Sequence, residues 1–212
     1  MSTYFFNKIF KKVVGVLTLA FAFLLPLAGP SVWAEGIDYE SIDAAIFIDP
    51  GHGGNDTGAR GANNLYEKDV VLALAKLLTT ELAGKGELLL SRKDDYSVGL
   101  FHRTETANNH KARLFISLHT GGSFRYTAEG ITIYHFLDSP GRLLPEDTTG
   151  KQAFNLNSGR IPWHGVQYRH TSESRLLARF IQTALAVKVG STSCKLRGAP
   201  LLVLSAANMP AI

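Results

Sequence analysis

Three side chains of this 212-residue chain have the types and settings that metal-assisted hydrolysis requires: His52, Glu67 and His119. His52 stands in Asp49-Pro50-Gly51-His52-Gly53-Gly54, directly after the apolar run Ala44 to Ile48. Glu67 opens a long stretch of helical spacing, and His119 closes Phe115-Ile116-Ser117-Leu118-His119. Two imidazoles and one carboxylate with a fourth position open to water are the ligand set of a catalytic zinc site. Zn2+ in such a site lowers the pKa of its water towards ~7 and polarises a carbonyl oxygen, which suits amide hydrolysis. Each residue also has an ordinary structural reading. A glycine turn accommodates an incidental histidine. Glu67 at a helix start complements the helix dipole, worth ~0.3–1 kcal/mol. His119, ending an apolar strand, reads equally as a satisfied core histidine. Among His102, His110, His135, His164 and His170, only His135, on the following strand, stands as an alternative ligand.

The elements that must bring the three together are legible in the apolar pattern. Ala44 to Ile48 reads as a buried strand that stops at Pro50, which cannot donate to a ladder. The glycines beyond allow positive φ and a tight turn. His52 is thereby presented at the carboxyl end of the strand, where open α/β sheets place their ligands. After a loop over residues 58–64, Leu65 to Ala83 carries Val70, Val71, Leu74, Ala75, Leu77, Leu78 and Leu82 at helical spacing, with Gly84 and Gly86 as the stop. Leu88 to Leu90, Leu114 to Leu118, Ile131 to Phe136 and Leu201 to Leu204 read as further strands. Leu100 to Lys111 and Ser172 to Val189 read as helices. Alternating strands and helices predict an α/β fold: a mostly parallel sheet of five visible strands with helices on both faces. In such a sheet, the carboxyl ends of the strands and the first turn of an intervening helix share one rim. The aperiodic, Gly- and Pro-containing stretch Asp138 to Tyr168 reads as an insertion, either a lid or plug over the site or a surface loop.

Residues 1–34 have the layout of a secretory signal peptide. Lys8, Lys11 and Lys12 precede the uncharged apolar stretch Val13 to Leu27, and Val32-Trp33-Ala34 offers a cleavage site. Pro26, Gly29 and Pro30 interrupt the run short of the ~20 residues that a spanning helix needs. Residues 35–212 then form one domain, exported and without a membrane segment. Loss of three lysines lowers the formal net charge from +4 to +1, so the basic pI is no argument for nucleic-acid binding. Cys194 is the lone cysteine, which excludes an internal disulfide, a cysteine-rich zinc module and a lipoprotein anchor.

The ordered motifs Asp49-Pro50-Gly51-His52-Gly53-Gly54, then Asp56, Gly58, Ala59 and Gly61, then Glu67-Lys68-Asp69 resemble the zinc-dependent N-acetylmuramoyl-L-alanine amidases. So do Leu100, Arg103, Ala107-Asn108 and Phe115 to His119. The resemblance covers roughly Ile46 to Tyr134 and resumes at Leu201 to Ile212. It implies His52, Glu67 and His119 as zinc ligands, a six-stranded sheet, and hydrolysis of the amide between muramic acid and L-alanine in peptidoglycan. Export to the periplasm or cell wall and a possible regulatory protein partner belong to the same expectation. Thr120-Gly121-Gly122 departs from the Ala-Asn type of pair that usually follows the second histidine. A Pro-Ala-x segment like Pro210-Ala211-Ile212 normally leads into a last strand with a catalytic glutamate, so the sequence reads as stopping just before that residue. Glu129 and Glu173 qualify as stand-ins by charge alone. Two rival readings are a non-catalytic peptidoglycan-binding protein and a zinc hydrolase of another amide.

Overall fold

β1 (Ile46–Pro50) is apolar along most of its length because it is covered on both faces; all five of its residues are buried. In the computed structural model, which describes residues 45–84, 86–121, 130–137, 163–190 and 193–212, it is the middle strand of a three-stranded parallel sheet. Its neighbours are β2 (Leu88–Leu90) and β3 (Leu114–Leu118), with Ile46 level with both Leu88 and Leu114. Ile46 and Ile48 pack on Ala75 and Leu78 of α1 (Glu67–Glu81). Phe47, one residue out of phase, stacks on Phe115 at 5.8 Å between ring centroids. It packs in one cluster with Ala107 of α2 (Leu100–Asn109). The period-two alternation of a strand thus assigns one helix to each face, as the order of elements predicts.

A second parallel pair joins β4 (Ile131–Phe136) to β5 (Cys194–Ala199), and α3 (Thr171–Val189) lays Leu177, Ala178, Ile181 and Leu185 against Ile133 and Cys194. The five parallel strands are therefore divided between two sheets among the described residues.

The fifth strand is Cys194–Ala199, which corrects the expectation of a strand at Leu201 to Leu204. That run instead enters the short helix α4 (Leu202–Ser205). Leucine is a good helix former, and only Val203 there is β-branched. β5 shows the alternation of a half-covered strand: Cys194 is buried and Leu196 half-buried, whereas Lys195 and Arg197 are exposed. Its charged residues conceal a strand from any search for apolar runs.

Two polar features tie the end of the chain to the rest of the fold. Residues 210–212 run parallel to the free edge of β3. There Phe115 N–H donates to Pro210 O (3.0 Å), Ile212 N–H to Phe115 O (3.1 Å) and Ser117 N–H to Ile212 O (2.9 Å). Gln167, fully buried in the 3-10 helix Trp163–His170, donates through Nε2 to Ala207 O and Met209 O, both at 2.8 Å. Its Oε1 accepts from Ser174 Oγ, which in turn accepts from Ala211 N–H at 2.9 Å. The last residues of the stretch expected as an insertion, 138–168, thus reach the packed interior at Gly165 and Gln167. Residues 138–162, the expected signal peptide 1–34 and Glu129 lie outside the described residues. Among the described residues, no helix is long and apolar enough to cross a membrane.

Candidate metal centre

β1 ends at Pro50, and the backbone turns at once: His52 itself adopts φ +60°, followed by Gly53 at +125° and Gly54 at +59°. A non-glycine residue held in the left-handed region costs of order 1 kcal/mol and persists only where surrounding contacts fix it. Gly51 is needed for a different reason. A Cβ built there would fall among the ring atoms of His119. Gly58 serves both purposes, since at φ +64° a Cβ would meet His52 Cδ2 at 2.6 Å and Glu67 Cβ at 2.8 Å.

His52, Glu67 and His119 converge, with one donor atom from each lying within 4.8 Å of the others. His52 Nε2 is 3.3 Å from Glu67 Oε2, and His119 Nδ1 is 3.0 Å from Glu67 Oε1. The two imidazoles meet edge to face, with centroids 4.8 Å apart. Donors bound at ~2.0–2.2 Å to one tetrahedral ion stand roughly 3.4 Å from one another; the two nitrogen–carboxylate separations, each to a different oxygen, are of that size, and the donor types are those that zinc takes.

Glu67 is the first residue of α1, and its side chain is only 4% exposed. It lies in phase with Val71, Ala75 and Leu78 on the buried stripe of the helix. Ala59 N–H donates to its Oε2 (2.9 Å), and the N–H groups of Thr120 (2.9 Å) and Gly121 (3.3 Å) donate to its Oε1. Burial works against ionisation, but the His119 contact and the Ala59 and Thr120 donors outweigh it and hold the carboxyl far below the ordinary carboxylate range. The partners come from other segments rather than from the first turn of α1, so the carboxylate does more than complement a helix dipole. The Thr120-Gly121 departure is accommodated because only backbone N–H groups are used there. The His119 side chain is 45% exposed, which removes the core-histidine reading and opens one side of the group to solvent.

Asp56 is the member whose role the sequence reading did not assign. Its Oδ2 is 2.9 Å from His52 Nδ1, and its Oδ1 accepts from Gly58 N–H at 3.1 Å. The bond to His52 lowers the Asp56 pKa below the ordinary range. A carboxylate on the rear nitrogen fixes the tautomer of a ligating imidazole and turns the other nitrogen to the ion. The available signal was a carboxylate four residues after a histidine, across a glycine turn.

The other residues weighed from sequence fall elsewhere. His135 is buried on β4, with Nδ1 3.2 Å from Phe136 O, and is not in the group. Glu173 is exposed in the first turn of α3, where it accepts from Ser172 Oγ at 2.9 Å.

Comparisons with known proteins identify the family and the fold. Residues 46–212 match the protein family described as N-acetylmuramoyl-L-alanine amidase. The amidase AmiA of Escherichia coli (strain K12) is 42% identical over 90 residues, covering 42% of this chain and 31% of the relative. The amidase LytC of Bacillus subtilis (strain 168) is 31% identical over 172 residues, covering 81% of this chain and 28% of the relative. The chain thus spans about a third of the length of these curated relatives. A crystal structure of N-acetylmuramoyl-L-alanine amidase from Clostridium difficile 630 superposes with a TM-score of 0.62 at 28% identity, over 81% of this chain and 77% of that one. AmiC2 of Nostoc punctiforme superposes with a TM-score of 0.54 at 25% identity, over 80% and 76%.

Proposed function

Because the chain belongs to the N-acetylmuramoyl-L-alanine amidase family, we propose that it hydrolyses the amide between muramic acid and L-alanine in peptidoglycan, with zinc held by His52, Glu67 and His119. The observation that carries this reading is the convergence of those three donors at the rim where β1, α1 and β3 meet. Zinc, when bound there, supplies a nucleophilic water near neutral pH and polarisation of the scissile carbonyl.

The residues of the chain do the rest. Asp56 directs His52 Nε2 towards the centre, and the Ala59, Thr120 and Gly121 N–H groups keep Glu67 ionised and oriented. The exposed side of His119 gives the substrate its approach. Taking the proton of the attacking water is a separate task that none of the three can perform while ligating. A peptidoglycan substrate places the protein outside the cytoplasm, which agrees with the signal peptide read at 1–34. A regulatory protein partner is part of the same proposal.

Digestion of purified peptidoglycan tests the reaction. We expect intact stem peptides bearing a new L-alanine α-amine, suppressed by a chelator and restored by zinc. Shorter peptides would make the protein a peptidase instead. Retention on peptidoglycan without cleavage would make it a binding protein. A narrower prediction concerns Asp56→Asn, which keeps the shape of the contact and loses its charge. Zinc affinity is expected to fall ~10–100-fold, the usual cost of an outer-shell loss, as measured by competition with a fluorescent chelator.

A further inference from the structure

Beneath the metal centre lies a buried ionic cluster of Asp49, Arg92 and Arg103. Asp49 and Arg92 are fully buried and Arg103 is 5% exposed. The Asp49 carboxylate accepts from Arg103 Nη1 (2.6 Å), from Ser91 Oγ (2.6 Å) and from Ser117 Oγ (2.8 Å). Arg103 also donates through Nη1 to Pro50 O (3.0 Å), through Nη2 to His52 O (2.9 Å) and through Nε to Val98 O (3.3 Å). Arg92 is unusual in that all its hydrogen bonds among the described residues go to backbone carbonyls. They are Pro50 O (3.0 Å), Gly51 O (2.8 Å), Lys68 O (2.7 Å) and Asp94 O (3.2 Å).

Each candidate ligand is connected to this cluster through its own backbone segment. The carbonyl of His52, a residue at positive φ, is bonded directly. Lys68, whose carbonyl Arg92 holds, follows Glu67. Ser117, bonded to Asp49, precedes His119 by two residues. Burying two guanidinium groups around one carboxylate is a costly way to fill a core. Replacement of buried ion pairs by well-packed apolar groups is often neutral or stabilising, so stability alone does not explain the cluster. Guanidinium has five donors in a rigid fork, which lets one side chain hold carbonyls of two different segments.

Resting on the reading of His52, Glu67 and His119 as zinc ligands, we propose that Asp49, Arg92 and Arg103 are positioning residues that set the relative placement of all three through the Pro50–His52 turn, the start of α1 and the end of β3. Arg103→Lys is the informative change. Lysine keeps the charge opposite Asp49 but cannot span Pro50 O and His52 O together.

The test is zinc affinity by chelator competition, with the Tm of the metal-free protein measured in parallel. Leu185→Ala in the α3 core serves as a destabilised control. Arg103→Lys and Arg92→Lys are expected to weaken zinc binding by about 10-fold or more, within the range of outer-shell losses, and to alter the visible absorption of the cobalt-loaded protein. Leu185→Ala is expected to lower Tm and leave zinc affinity unchanged. Ser117→Ala, too mild to unfold the chain, is expected to weaken zinc by about threefold, below the outer-shell range. The proposal is overturned if zinc affinity follows Tm alone across all four variants, or if the arginine and serine variants bind zinc as the unmodified protein does. His52→Ala separates the two levels. If it loses zinc while the cluster variants retain it, only the positioning role falls; if it retains zinc, the ligand assignment falls as well.

Discussion

A Glu67→Ala variant is expected to lose zinc completely against a chelator that the unmodified protein withstands. The carboxylate stands between the two imidazoles, at 3.3 Å from one and 3.0 Å from the other. Its removal leaves two neutral donors that no longer share an anionic neighbour. Supporting residues around a metal typically cost ~10–100-fold when lost, and removal of a ligand itself exceeds that range. The N–H groups of Ala59 and Thr120 also lose an ionised acceptor, in bonds worth ~1.5–3 kcal/mol each, so metal-free stability should fall too. Glu67→Gln separates the effects: its amide oxygen can still accept from one donor, but it brings no charge to the ion. Elemental analysis after dialysis is the measurement. Zinc retained at one per chain in Glu67→Ala would remove this residue from the centre.

The largest stability effect is expected from Asp49→Ala, at ~3–5 kcal/mol, the cost of removing one partner from a buried ion pair. Asp49 is fully buried, and its loss orphans the Ser91 and Ser117 hydroxyls as well as the Arg103 guanidinium. Arg92 adds a second positive charge nearby, and its own pKa is lowered by burial and then by Arg103. Without the carboxylate, two guanidinium groups face each other across a water-poor interior. A domain of ordinary stability, ~5–15 kcal/mol, loses a large fraction of its margin. Asp49→Asn should lie between the two, because the amide oxygen still accepts. Urea denaturation decides the matter; a loss under about 1 kcal/mol, typical of an exposed pair, would contradict the assignment.

Much of the centre was readable from sequence because each candidate sits at the end of an element. His52 follows a strand, His119 closes one, and Glu67 begins a helix. The spacing of Glu67, four residues before Val71 and eight before Ala75, places it on the apolar stripe and speaks against a mere dipole role. Glycines do make the turn, with Gly53 and Gly54 at positive φ, but His52 carries positive φ itself, and Gly51 is required by the approach of the His119 ring. That approach joins residues 68 positions apart, and no local pattern reveals it.

Arg92 is illegible for the same reason, and Arg103 is legible only as a motif residue, without its role in the cluster. A single arginine after a strand or on a helix looks like surface charge until several segments close around it. Leu201 to Leu204 failed differently, because a short apolar run does not distinguish a strand from a buried helical turn. β5 is hard to read in the sequence because its outward side chains are charged.

The candidate ligands stand at positions 52, 67 and 119, and the last lies beside the others through the parallel pairing of β3 with β1. Parallel pairing over such a separation is late and slow, since the chain loses loop entropy before the contact stabilises anything. An ion held by these residues would therefore not nucleate the domain as it does a zinc finger, which is unfolded without metal. It would find its place in an already folded protein. Zinc should accordingly leave the refolding rate nearly unchanged and slow unfolding, a pattern that stopped-flow kinetics with and without the metal will show.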